Sequence, residues 1–399
     1  MTRNLSGPED LYDIFNRTSS LTKQDVAANE SQLKDIIQKS SFLVVGAAGT
    51  IGSAVSREIF SRHPKLLHIC DINENNLVEL VRDLRSSFGN GSSELKSFCV
   101  DLGSDIFDAL IHNNEHYDYI LNLSAMKHVR SERDAYTLMR MLETNVTNSL
   151  KLAKMSDKMK AKKYFCVSTD KAANPTSLMG ASKLIMEREH FSDTLNVNVS
   201  MARFANVAFS DGSLLHGFKM RIEKKQPITA PYDIKRYFIT QKEAGEICLL
   251  SSLLGSHRQI FFPKLFASSD LIDFRSIALR FLEKLGFVAM ECSSEEEARD
   301  RAAHEDGRTW PCYFFKSDTT GEKPFEEFFT KNENTDVTRF NGLGVINSQK
   351  HFQSFDISTQ LTNLRKSGSW NKAEIVQLIE SYLVDYQHED KGRFLDEKM

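Results

Sequence analysis

Short apolar runs alternate with amphipathic stretches along the first half of the chain. Ser41-Phe42-Leu43-Val44-Val45, closed by Gly46, has the near-continuous hydrophobicity of a strand buried on both faces. Leu66 to Cys70, Leu95 to Val100, Tyr117 to Leu121, Lys163 to Val167 and Val197 to Ala202 repeat that signal. The segments between them predict helices over Ser53 to Phe60, Asn75 to Phe88, Asp105 to Asn113, Arg133 to Met159 and from Lys183 to about Leu195. Strand–helix units of this length predict an α/β fold built on a doubly wound parallel sheet. In such a sheet, ligands bind outside the carboxyl ends of the strands.

The pattern differs at both ends. Leu11-Ile14-Phe15 and Leu33-Ile36-Ile37 form apolar stripes at helical spacing, which predicts an N-terminal helical arm over residues 1–40 that packs on the body or on another subunit. The regular alternation occupies residues 41–210. Beyond Ser210 it fades into mixed helices and short strands: a helix over Leu215 to Lys224, a short strand over Pro227 to Pro231 and an apolar helix over residues 241–254. Residues 211–399 therefore predict a smaller C-terminal α/β lobe that carries substrate contacts, with a soft boundary and possible interleaving between the two parts.

Composition narrows the class. The 399 residues are 41% hydrophobic and 26% charged with a net charge of -3, ordinary values for a globular protein with a large core. No long basic block is present, which argues against nucleic acid as a partner. No apolar run reaches membrane-spanning length and no signal-peptide pattern opens the chain, so the expectation is a cytoplasmic protein without a membrane partner. The six cysteines include no C-x-x-C pair, which argues against zinc or a redox dithiol. Cys70, Cys99 and Cys166 lie in strand-like runs and are expected to be small buried hydrophobes. His304, Glu305 and Asp306 are sequential neighbours whose side chains splay apart, so they predict a solvated loop and no metal site.

The turn after the first strand reads Gly46-Ala47-Ala48-Gly49-Thr50-Ile51-Gly52 and opens directly into a helix. Strand, glycine-rich turn and helix is the context of a Rossmann-type dinucleotide fingerprint. Gly46 permits the tight turn, Gly49 lets backbone N–H groups approach a pyrophosphate, and Gly52 lets helix and strand pack closely. Asp71 ends the second strand, 19 residues past Gly52. A carboxylate there accepts hydrogen bonds from both ribose hydroxyls and repels a 2′-phosphate, which favours NAD over NADP. Asp101 and Leu102 end the next strand, and Ser124 and Ala125 follow the fourth, where small residues let a flat cofactor approach the backbone.

Reactive groups gather at the end of the fifth strand. Ser168-Thr169-Asp170-Lys171 is followed by Asn174-Pro175 and then by a helix that carries Met179 and Lys183 one turn apart. A hydroxyl, a carboxylate and two amines at one strand end point to a catalytic site. Lys127 and His128 are candidate substrate contacts, with a solvated cation pair as the alternative. Arg203, Asn206, Ser213 and Arg236 are candidate nucleotide or diphosphate contacts, since a guanidinium suits phosphate. For Arg203 a structural ion pair is an equal alternative.

Gly46-x-x-Gly49-x-x-Gly52, Asp71, Asn145 and a strand-end Ser-Thr followed by a Lys-bearing helix resemble the extended short-chain dehydrogenase/reductase family. Within it, Ser168 to Ala172, Met179 to Lys183, Ala125 to Val129, Arg203 to Val207 and Lys235 to Phe238 resemble the nucleotide-sugar 4,6-dehydratases of bacterial polysaccharide and flagellin-glycan pathways. The run Tyr313 to Pro324 resembles the tail of the dehydratases that feed legionaminic-acid synthesis. Most of the superfamily carries Tyr four residues before the helix Lys; Met179 stands there, as in a subset of these dehydratases, and it cannot shuttle a proton. The resemblance implies a recycled NAD and an N-acetylhexosamine nucleotide as substrate. It implies proton work by Thr169, Asp170 and Lys171, with the division between the last two open. Lys183 would hold the nicotinamide ribose. A 4-epimerase or a C5-inverting dehydratase is the alternative enzyme, and a non-catalytic dinucleotide-binding module the alternative of another class. Dimers or higher oligomers are usual in the superfamily, with the helices at 133–159 and 177–195 as the candidate pairing surface.

Overall fold

The computed structural model describes residues 8–89, 91, 93–113, 116–303, 307–317, 323, 325–348, 352 and 355–388. His304, Glu305 and Asp306 lie outside the described residues, as do parts of the Tyr313 to Pro324 run and of the polar C-terminal end.

Two helices, α1 (Pro8–Ile14) and α2 (Lys23–Gln38), precede the sheet. The strand–helix alternation then runs β1 (Ser41–Val45), α3 (Thr50–Phe60), β2 (Leu66–Asp71), α4 (Glu74–Phe88), β3 (Glu94–Cys99), α5 (Asp105–Asn113) and β4 (Tyr119–Asn122). It continues through α6 (Ala135–Leu142), α7 (Ser149–Lys158), β5 (Lys163–Thr169), α8 (Leu178–His190) and β6 (Val199–Phe204). These six strands pair in parallel in the order β6-β5-β4-β1-β2-β3. Residues of β1, β4 and β5 are buried on both faces, as their unbroken apolar runs require. β3 is the edge strand, and Cys99 at its end is exposed, whereas Cys70 and Cys166 are buried. An apolar run on an edge has a neighbour on one side alone, which local sequence does not reveal.

The predicted single helix over 133–159 is instead two helices joined by a π-helical turn at Glu143–Asn148. Asn145 sits in that turn. Its Oδ1 accepts from the Met126 backbone N–H at 2.9 Å, and its Nδ2 donates to Met126 O at 2.9 Å and to Ser182 Oγ at 3.0 Å. The wider turn delivers one buried amide to the Met126 loop and to α8 at once, a use typical of π-bulges near functional sites.

The second half returns to the same sheet. After β7 (Asn206–Val207), α9 (Leu214–Glu223), β8 (Ile228–Pro231), β9 (Lys235–Arg236), β10 (Phe238–Ile239) and α10 (Gln241–Leu254), strand β11 (Gln259–Pro263) pairs in parallel with β6. β12 (Ile272–Asp273), α11 (Phe274–Leu285), β13 (Val288–Cys292), α12 (Glu295–Ala302) and β14 (Thr309–Phe315) follow, and β13-β14-β8 form a separate parallel sheet over its own apolar cluster. β15 (Thr335–Asp336) and β16 (Leu343–Asn347) then close the main sheet in antiparallel register on β11. Helix α10 packs on α3 so closely that a side chain at Gly245 would meet the Ala54 backbone at 2.7 Å.

Finally, α13 (Ile357–Lys366) and α14 (Lys372–Tyr382) lie over α6 and α8. Leu138, Leu142, Leu178 and Ile185 share one buried cluster with Ile357, Leu361, Ile375 and Ile379. The chain's own C-terminal helices thus pack on part of the surface on which the sequence placed subunit pairing. Among the described residues, no helix is long and apolar enough to cross a membrane.

Candidate active site

The glycine turn forms a cradle whose shape follows from what it excludes. Gly46 has φ +75°, and a Cβ there would lie 2.6 Å from Ser124 N. A Cβ on Gly52 would lie 2.0 Å from Gly46 O, so the start of α3 presses on the turn. At Gly49, in contrast, a Cβ would make only an ordinary contact, with Gly46 O at 3.6 Å. No side chain caps α3, whereas Asn73, Asp134 and Ser177 cap α4, α6 and α8. The uncapped N–H groups and the helix dipole therefore face an open concavity, which suits an anionic pyrophosphate. Asp71 holds the rim: its Oδ2 accepts from Ala48 N and its Oδ1 from Asn73 N, both at 2.9 Å. Each oxygen keeps a lone pair for a ribose hydroxyl. Thr50 Oγ1 accepts from Asp211 N at 3.1 Å, tying the cradle to the turn before α9. Asp101 accepts from Gly103 N at 2.8 Å and from Arg140 at 2.9 Å, and Leu102 is buried beside it. These residues fit a dinucleotide.

Opposite the cradle, the carboxyl end of β5 carries the reactive quartet. Ser168 turns inward and donates to Glu187 at 2.6 Å. Thr169 Oγ1 donates to Asp170 Oδ1 at 2.9 Å, and Lys171 Nζ lies 3.1 Å from that same oxygen. Asp170 is buried, and its Oδ2 has no hydrogen-bond partner. Lys183 reaches down from α8 and donates to Val167 O at 3.1 Å. Burial pushes its amine down to about 8, against the opposing pull of Cys166 and Glu187. Met179 is buried in the apolar cluster under α6, with its backbone N–H bonded to Glu132 at 2.8 Å, so its contribution is packing.

A cavity of about 670 Å³ opens past β4, lined by Ala125 to His128, Arg130, Ser131, Arg133, Asp134 and Thr137. Lys127 Nζ lies 3.3 Å from Ser210 Oγ, and burial lowers its pKa while Asp211 opposes. His128 faces Gly212, where a Cβ would meet its ring at 2.9 Å. Ser213 caps α9 by accepting from His216 N, and Asn206 is held by its backbone N–H on Tyr237 O. Arg236 is buried and donates to the backbone carbonyls of Lys235 and Lys323.

Arg203 departs from the expectation of a phosphate contact. Its side chain is buried, and all five N–H donors are committed: Nε and Nη2 to Glu187, Nη1 and Nη2 to Glu333, and Nη1 to Phe328 O. A guanidinium has no sixth donor, so Arg203 is structural. Its partner segment brings in a residue that the local pattern does not reveal. Glu326 is 3% exposed, and its Oε1 lies 3.7 Å from Lys171 Nζ.

The chain matches the polysaccharide biosynthesis protein family over residues 42–348 and belongs to that family. It is 27% identical over 323 residues to the probable polysaccharide biosynthesis protein EpsC of Bacillus subtilis, covering 78% of this chain and 49% of EpsC, so the chain spans about half the length of that relative. It is 27% identical over 235 residues to the inverting UDP-N-acetylglucosamine 4,6-dehydratase of Campylobacter jejuni, covering 56% of this chain and 67% of the relative. The solved structure of Pen from Bacillus thuringiensis shares the fold, with TM-score 0.64 and 21% identity over 83% of this chain and 98% of Pen.

Proposed function

We propose that this protein is an NAD-dependent nucleotide-sugar 4,6-dehydratase that acts on UDP- or GDP-N-acetylglucosamine and yields the 4-keto-6-deoxy sugar for surface-glycan synthesis. The observation that carries this is the Thr169-Asp170-Lys171 constellation at the carboxyl end of β5, across the sheet edge from an open, uncapped glycine cradle. The similarity to a relative named for this reaction supports it. When bound, NAD supplies reversible hydride storage, so the reaction needs no external oxidant.

The chain's residues supply the proton chemistry. Thr169 orients the oxygen at sugar C4, and Asp170 receives the proton of that hydroxyl. The 4-keto group acidifies C5–H, and the Lys171 amine takes that proton. Asp170 passes its proton to the hydroxyl leaving C6, and Lys171 returns its own at C5, so each group ends as it began. Lys183 holds the ribose next to the nicotinamide. Lys127 and His128 border the sugar, and Arg236 contributes charge toward the diphosphate. Epimerisation at C4 alone needs no base at C5, whereas a module without turnover needs none of these groups together.

Incubation of the NAD-loaded protein with UDP-GlcNAc and, separately, GDP-GlcNAc, followed by NMR, tests this. A 4-keto-6-deoxy product is expected, and consumption of neither nucleotide sugar refutes the activity. Lys171→Met is expected to reduce solvent deuterium incorporation at C5 by about 10²-fold or more, the usual contribution of a general base. Exchange at the wild-type rate would place the base elsewhere.

A further inference from the structure

We propose that Glu326 is a positioning residue of the active site: it accepts the resting proton of Lys171 and so leaves that amine free to act as a base. This rests on the dehydratase reading above and deepens it, because a lysine can take the C5 proton only after shedding its own.

The geometry is that of a built site. Glu326 lies in the described stretch 325–334, between β14 and β15, which with Lys323 is fastened to the catalytic loop and to the body from several sides. Asn174 Nδ2 donates to Glu327 at 2.9 Å, and Lys323 Nζ donates to Asn174 O. Arg236 holds Lys323 O at 2.9 Å, and Arg203 holds Phe328 O at 2.9 Å. Phe328 also packs against Phe262 and Tyr237. The buried Arg203, saturated by Glu187 and Glu333, thereby anchors the segment that carries Glu326 to Lys171.

The charged groups facing Glu326 are Asp170 and Lys171 from the catalytic loop, Arg236 from β9, and Lys323 from its own segment. Its Oε2 has no hydrogen-bond partner, the same condition as Asp170 Oδ2; Lys171 Nζ lies between the two carboxyls, 3.1 Å from Asp170 Oδ1 and 3.7 Å from Glu326 Oε1, and Lys323 Nζ stands 3.8 Å from Oε2. Like charges in such a place do not both ionise readily. Burial raises the Glu326 pKa and Asp170 adds to that, while Lys171, Arg236 and Lys323 oppose it. For the transfer Lys171 Nζ swings on its flexible stem from Asp170 Oδ1 toward Oε1, closing the 3.7 Å gap to hydrogen-bond distance; its Nζ–H bond then breaks and an Oε1–H bond forms on Glu326, so an ion pair becomes an amine and a carboxylic acid. Nothing else is consumed. A dry site favours this neutral pair relative to water. Asp170 is then left to the C4 hydroxyl, which separates its role from that of Lys171.

Two measurements on the full chain test this, and the first does not need turnover. Infrared difference spectra at neutral pH are expected to show a protonated carboxyl band that shifts in deuterium oxide and is absent in Glu326→Gln. If that variant does not fold, Lys171→Met is read instead: Glu326 already carries the proton, so the wild-type band is expected to remain. A band that persists in Glu326→Gln and vanishes in Asp170→Asn, or no protonated carboxyl at all, overturns the proposal. A band that is absent in the wild type and appears only in Lys171→Met does the same. In the second measurement, Glu326→Gln is expected to keep KM for the nucleotide sugar while kcat and C5 exchange fall about 10-fold or more. The deficit should shrink as pH rises, because the amine must then lose its proton to solvent, and Glu326→Asp should restore part of the rate. Wild-type kcat and exchange in Glu326→Gln would overturn it. Should the wild type turn over no nucleotide sugar, the dehydratase reading fails, and the infrared band still decides where the proton sits.

Discussion

Lys183 shows at the residue scale how a site's chemistry is set by burial. Its amine is buried, with the Val167 carbonyl at 3.1 Å and the Met186 sulfur at 3.7 Å for partners, and burial holds it at about 8. An unfolded chain keeps a lysine protonated to about 10.4. Between these values the unfolded state binds more protons, so the stability of the ligand-free protein rises with pH across that interval. Lys183→Met lacks this charge. It is expected to be more stable than wild type below pH 8, by up to about 3 kcal/mol, with the advantage vanishing above pH 10. Urea unfolding of both proteins across that range checks this, and a pH-independent difference would contradict it. The cradle glycines act at the same scale but through shape: Gly52 allows α3 to press on the turn, and Gly46 lets the Ser124 loop pass.

At the scale of elements, the loop after β5 depends on a segment far away in the chain. Arg203, at the end of β6, joins α8 through Glu187 to the Phe328–Glu333 segment, and Ser168 enters the same network through Glu187. Arg203→Met would leave Glu187 buried beside Glu333 with no cation between them. Removal of one partner from such a network costs about 3–5 kcal/mol. A loss of that size in chemical unfolding is expected. Arg203→Lys should recover little of it, because an ammonium has three donors and no planar fork. Full recovery by lysine would mean that charge alone matters there. The π-helical turn at Glu143–Asn148 is another device of this scale, since it brings Asn145 to both the Met126 loop and α8. A helical hydrophobic pattern passes through such a turn unbroken, so the stretch reads as one helix.

Across the whole molecule, the chain leaves the nucleotide-binding half and returns to it. β11, β15 and β16 extend the main sheet, and α13 and α14 cover α6 and α8. Ile379 is fully buried in that cover. Ile379→Ala is expected to cost about 2–5 kcal/mol, as other large-to-small core changes do. If the cover is continuous with the core, hydrogen exchange should quicken in α8 as well as in α14. Faster exchange confined to α14 would mean that the C-terminal helices form a separate unit.

The sequence by itself determined the elements whose causes are local. The parallel strands follow from apolar runs, the candidate cofactor cradle from a turn that requires glycine at positions 46 and 52, and the Thr169-Asp170-Lys171 group from three consecutive residues. Even the departure at Met179 was legible there. The tertiary structure alone decided which charges meet. It committed Arg203 to two buried carboxylates, set Glu326 beside Lys171, exposed Cys99 on an edge strand and placed α13 and α14 over the face read as a subunit contact. These outcomes depend on pairings between residues far apart in the chain. Coulomb energy and burial act through space, and a periodicity along one segment carries no record of what another segment brings to it.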